Sequence, residues 1–162
     1  MKKLISIKGI CLMFIPFVSE ACASVVEFNH NRENICDYEG SGIHNYSEVI
    51  QEMDNSLLKN RLTSVEGVTL NLEGNYIEDK GVSAIVEYLT NDVFFKNHLT
   101  KLDLSNNRFT KSALPLLLLL VEKCPILEEL NISINYFGQQ DYAAAFANLD
   151  QEKRKIVKFR AY

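Results

Sequence analysis

One pattern occurs three times in the chain, and a chain that repeats it has few ways to fold. Residues 99–109 (LTKLDLSNNRF) read LxxLxLxxNxF, and residues 127–137 (LEELNISINYF) repeat the reading. Residues 67–77 (GVTLNLEGNYI) are a third copy, with Gly67 at the first apolar place. The three asparagines, Asn75, Asn107 and Asn135, lie 32 and 28 residues apart. Each position has a physical task. The alternating pairs Leu70/Leu72, Leu102/Leu104 and Leu130/Ile132 put two apolar side chains on one face of a short strand. The asparagine amide can satisfy backbone groups where the chain leaves the strand. The apolar residue two places on (Ile77, Phe109, Phe137) returns to the core. A supersecondary unit repeated at this period cannot bury its apolar face alone and must stack on its neighbours.

The segments between copies read as helices. Val82, Ile85, Val86 and Leu89 fall at i, i+3, i+4 and i+7, with Asp79 as the expected N-cap. After Phe109, Thr110 is positioned to cap a helix carrying Ala113, Leu116, Leu117 and Leu120. Pro115 then falls in the first turns, where proline is tolerated. Residues 139–149 (QQDYAAAFANL) are alanine-rich and favour a third helix. The longer first interval places its excess in Asn91 to Asn97 (NDVFFKN), read as a loop.

A strand followed by a long helix in each repeat resembles the ribonuclease-inhibitor-like class of leucine-rich repeats. Residues 75–82 (NYIEDKGV) and 124–127 (CPIL) carry the resemblance most closely, and it extends over residues 62–149. It implies an α/β leucine-rich-repeat solenoid with short parallel strands on the concave face and helices on the convex face. It also implies a binding protein rather than an enzyme. In bacteria such repeats resemble those of host-interaction proteins, so a host-directed factor is expected.

The ends follow the pattern less closely, as capping units of a solenoid do. Lys155 to Arg160 alternates like a fourth, terminal strand centred on Val157. Val26 to Phe28 reads as a capping strand, Asn29 to Asn45 as loop, and Tyr46 to Asn60 as a helix. Ahead of them stand Lys2, Lys3 and Lys8, then the apolar run Gly9 to Val18, then Ala21-Cys-Ala23. That order is a secretory signal with cleavage after Ala23, and its apolar run is far short of a membrane span of about 20 residues. The chain therefore divides into a signal peptide (1–23), an N-terminal capping region (24–61) and a repeat domain with a C-terminal cap strand (62–162). The expected location is secreted or periplasmic, without stable membrane insertion once the signal is removed.

Charge narrows the function. The formal net charge is −4, and loss of three lysines and Glu20 with the signal takes it to −6. An acidic chain lacks the basic face that nucleic acid requires. His30, His44 and His98 fall in no close metal spacing, and His30, Cys36, Asp37 and His44 are only loosely grouped. No metal, cofactor or catalytic residue is expected. A Cys36–His44 nucleophile pair would make the chain a small hydrolase, but it rests on residue types alone. Cys36 and Cys124 could pair in an oxidising compartment. The leucine run Leu116 to Leu120 is explained by core packing, and any excess could support a self-associating envelope protein.

The expected binding surface is the strand face. Thr69, Asn71 and Glu73 alternate with the inward residues of the first copy. Lys101, Asp103 and Ser105 do so in the second, and Glu129, Asn131 and Ser133 in the third. Lys158 and Arg160 extend the strip. Stacked strands bring such side chains into columns about 4.8 Å apart, a surface suited to a protein or peptide. Large aromatic anchors are missing from the strip. Phe94, Phe95, Tyr76 and Tyr136 are the nearest substitutes.

Overall fold

The inward alternation of the repeats produces a sheet with one apolar face. A computed structural model describes residues 25–28, 33–37, 39–40, 42, 47, 50–51 and 67–161. The signal peptide read over residues 1–23 lies outside them. Six strands stand side by side in sequence order: β1 (Val25–Phe28), β2 (Glu33–Asp37), β3 (Gly67–Asn71), β4 (Leu99–Asp103), β5 (Glu129–Asn131) and β6 (Val157–Lys158). The pair β1–β2 is antiparallel and all later pairs are parallel. Leu70, Leu102, Leu130 and Val157 share one register line. All four are buried in the single core, together with Leu72, Leu104 and Ile132.

Helices cover that apolar face. Helix α1 (Asp79–Asn91) buries Gly81, Val82, Ile85, Val86 and Leu89, the stripe that its spacing predicts. Glu78, not Asp79, occupies its N-cap position, and no side chain caps it. Asp79 instead reaches the next repeat, accepting from Thr110 N at 2.6 Å and from Thr110 Oγ1 at 2.7 Å. Thr110 caps a 3-10 turn (Lys111–Ala113) that leads into α3 (Leu114–Lys123), with Pro115 in its first turn. The α3 core face is Leu114, Leu117, Leu120 and Val121, while Leu116 is only half-buried.

Several expectations are corrected. Asn91–Asn97 is not a loop: Val93–His98 forms helix α2. Asp92 accepts from Phe94 N and Phe95 N, which supplies the start signal for so short a helix. Asn29–Asn45 is not all loop either, because β2 lies within it. Its pairing on β3 places Cys36 against Leu70 and Ile35 against Thr69. The polar Asn34 pairs in register with Val68, so residue type alone conceals the strand. The helix expected over 139–149 stops early, giving α4 (Gln139–Ala145). Asp150 then accepts from Lys153 N and starts α5 (Gln151–Ile156). Lys155 and Ile156 are therefore helical, and the terminal strand is only β6. Of the helix read at Tyr46–Asn60, Ser47, Ile50 and Gln51 are helical, and the rest lies outside the described residues.

The strand exits share one backbone conformation. Gly74, Asn106 and Ile134 each precede a repeat asparagine, and their φ values are +70°, +55° and +56°. Glycine and asparagine suit the left-handed region, but a β-branched residue is strained there. Ile134→Asn is accordingly expected to raise stability by about 1 kcal/mol. Chemical denaturation should show a higher midpoint with an unchanged slope, and a lower midpoint would mean that Ile134 packing outweighs the strain.

Candidate functional site

On the sheet face turned away from the helices, the outward residues form two columns. One runs Thr69, Lys101, Glu129, and the other runs Asn71, Asp103, Asn131, Lys158. Lys158 is exposed and the rest are partly exposed. In backbone register Ile35 pairs with Thr69 and Asp37 with Asn71, strand positions that the loop reading of Asn29–Asn45 missed.

The second column is occupied with holding the fold. Asn71 Oδ1 accepts from Glu73 N, Asp103 Oδ1 from Ser105 N, and Asn131 Oδ1 from Ser133 N. Each closes an Asx turn that carries the chain off its strand. Asp103 Oδ2 also accepts from Asn131 Nδ2 at 2.9 Å, which ties adjacent repeats together. Ser105 is corrected: it is 3% exposed, and its hydroxyl donates to Asp103 Oδ1 at 2.6 Å, so it offers no outward group. Ser133 remains partly exposed and Arg160 exposed.

Charge is unevenly distributed along the face. At the β6 end, Lys158 Nζ lies 2.6 Å from Glu129 Oε1. At the other end acidic groups gather. Glu73 has its carboxyl held above its ordinary pKa, first by desolvation and then by the charges of Asp103 and Glu39. A carboxyl raised in this way penalises the folded state while ionised. The penalty is complete at neutral pH and is relieved as pH falls through the raised folded-state value. Glu73→Gln should therefore raise the melting temperature at neutral pH, with the gain disappearing by about pH 3, below the ordinary carboxylate range. A gain independent of pH would assign the effect to packing.

The aromatic candidates separate. Phe95 is fully buried against Tyr88 and Phe94, and Phe94 stacks on His98. Helix α2 turns Phe95 into the core and packs Phe94, partly buried, against it. Tyr76 and Tyr136 are exposed. Cys124 is a free, buried thiol, and burial pushes it up to about 11. Cys36 lies on β2, whereas His30 and His44 fall outside the described residues. Among the described residues, no group of three His, Cys, Asp or Glu could hold a metal ion, and no helix is long and apolar enough to cross a membrane.

Behind the strand face stands a ladder of asparagines. Asn107 Nδ2 donates to Leu72 O, Leu104 O and Ser105 O, while its Oδ1 accepts from Ile77 N. Asn135 Nδ2 donates to Leu104 O, Ile132 O and Ser133 O. Asn75 Nδ2 donates to Leu72 O and Glu73 O. Leu72 O and Leu104 O thus each bridge two successive asparagines. This ladder accounts for the invariance of the asparagine among the three copies.

No curated protein matches the chain. Residues 68–86 and 95–114 match the leucine rich repeat family. The first match runs from β3 into α1, and the second from α2 through β4 to the start of α3. With the parallel register and the asparagine ladder, these matches make the sheet and its helices a stack of leucine-rich repeats, an α/β solenoid.

Proposed function

We propose that this chain is an exported, non-enzymatic protein of the ribonuclease-inhibitor-like class that engages a protein partner through its strand face. Leucine-rich repeats commonly bind proteins, which supports the general reading. The observation that carries the proposal is the one-sided sheet. Its inward residues are buried under helices, while Lys101 and Glu129, in register with Thr69, turn charged side chains partly open to solvent; the Thr69 hydroxyl itself is buried. A stacked array of this kind offers an extended, pre-formed surface for recognition. A bacterial, host-directed role follows from the short Lys2-Lys3 signal together with this repeat class.

The test uses a variant that changes charge without opening a turn. Glu73→Lys and Glu129→Lys reverse outward charges, and Asp103→Asn keeps an acceptor for Ser105 N. Wild type is expected to retain a specific partner from host lysate, and the folded triple variant to lose it. A partner that the variant still retains moves the site off the strand face. Export is tested separately: the protein in the culture fluid should begin at Ser24, and an intact Met1 terminus confined to cells removes that part of the proposal. A tagged protein that stays with the bacterial envelope during growth with host cells removes the host-directed part.

A further inference from the structure

The repeat position immediately after each asparagine carries Tyr76, Arg108 and Tyr136. Backbone bonds hold these segments side by side: Arg108 N donates to Ile77 O, and Tyr136 N to Phe109 O, both at 2.9 Å. The three side chains consequently form a column along the edge where the chain leaves the strands. All three residues are exposed, Tyr76 at 38% and Tyr136 at 57%. The Arg108 guanidinium lies 4.2 Å from the centre of the Tyr76 ring.

Stacking on the ring holds the guanidinium plane while leaving its edge N–H groups available. The ion pairs among the described residues are Lys111–Asp141, Lys155–Glu152 and Lys158–Glu129, so Arg108 has no carboxylate partner among them. A pre-oriented fork of this kind matches a carboxylate, which it can bind through two parallel hydrogen bonds. Tyrosine and arginine are also the side chains in which binding energy concentrates at interfaces. A second observation lies beside the column. Ile134, two residues before Tyr136, keeps a β-branched side chain at φ +56°, where the equivalent positions hold Gly74 and Asn106. Ile134 is a partly exposed apolar residue two positions from the exposed Tyr136, in a backbone conformation that is costly for a β-branched side chain.

We infer that this edge is the energetic centre of the interface, and that its occupant is an extended protein segment carrying an acidic side chain beside an apolar one. The carboxylate sits on Arg108, and the apolar group rests on Tyr136 and Ile134. The inference rests on the protein-binding reading but moves its hot spot from the strand columns to the loop edge. It also reverses the charge expected of the partner, because the Glu39, Glu73 and Asp103 end of the strand face would favour a basic one.

The test selects displayed random 12-residue peptides on the full chain and measures synthetic copies by fluorescence anisotropy. Selected peptides should be rich in Asp or Glu next to an apolar residue. Arg108→Ala and Tyr136→Ser should each weaken binding about tenfold or more, without lowering the melting temperature to match. Arg108→Lys, which keeps the charge and loses the planar fork, should also bind poorly. Ile134→Gly should bind more weakly while melting higher, a combination that a purely structural isoleucine would not give. Basic peptides whose binding is lost only in the Glu73→Lys, Asp103→Asn, Glu129→Lys variant would overturn the inference and leave the strand-face reading standing. Peptides indifferent to both sets of variants, or a library that yields none, would overturn both.

Discussion

Asn107→Ala should destabilise the protein by about 3 kcal/mol, the largest single-residue effect expected on this surface. Asn107 is 2% exposed. Its amide group donates to three carbonyls, and its Oδ1 takes the backbone N–H of Ile77, 30 residues earlier. Truncation leaves that buried N–H without its acceptor. The three carbonyls fare better, because Asn75 and Asn135 still reach Leu72 O and Leu104 O, and Gly74 N still donates to Ser105 O. The matched control is Asn135→Ala. Asn135 is equally buried and its amide makes the same three kinds of donation, but its Oδ1 has no hydrogen-bond partner. It should therefore cost clearly less. Urea denaturation of the two variants measures both, and equal losses would mean that the carbonyl bonds, not the Ile77 N–H, carry the effect.

Gly67→Leu should also destabilise, by about 1–3 kcal/mol, although it restores the apolar residue that the other two copies carry. The reason is a register irregularity. Val68 pairs with Leu99 and Thr69 with Lys101, so β4 has one residue, Thr100, more than β3 across this step. Such a bulge re-aims a side chain. Thr100 is buried, and its hydroxyl donates to Val68 O at 2.9 Å. A Cβ on Gly67 would lie 2.6 Å from Thr100 Cγ2, and threonine has little freedom to withdraw. A double-mutant cycle with Gly67→Ala and Thr100→Ser isolates the contact. Removing Cγ2 should recover part of the loss while keeping the hydroxyl bond. Additive effects would place the cost of Gly67→Ala elsewhere.

These two sites separate what kinds of information the chain carries. The repeat, the strand positions and the core faces were legible because they depend on local periodicity. Val82, Ile85, Val86 and Leu89 must share a helical face, and Leu102 and Leu104 a strand face, whatever surrounds them. The asparagine ladder was half legible: its residue type and spacing showed a turn, but its bonds to the preceding repeat did not appear in one copy read alone. The strand-face residues were located by alternation. Their duties were not, because the Asx turns of Asn71, Asp103 and Asn131 and the burial of Ser105 depend on how the chain leaves each strand.

Tertiary structure decided the rest, wherever a neighbour supplies what local sequence lacks. Strand β2 has a weak apolar pattern and exists by pairing with both β1 and β3. Asp79 looks like a helix cap until the next repeat presents Thr110 to it. Gly67 looks like a defect in its copy until the bulged Thr100 fills its place. The column of Tyr76, Arg108 and Tyr136 forms only once successive repeats are stacked. Periodicity along one segment fixes which face is buried, but contacts between residues some thirty positions apart arise from stacking and are absent from any single segment.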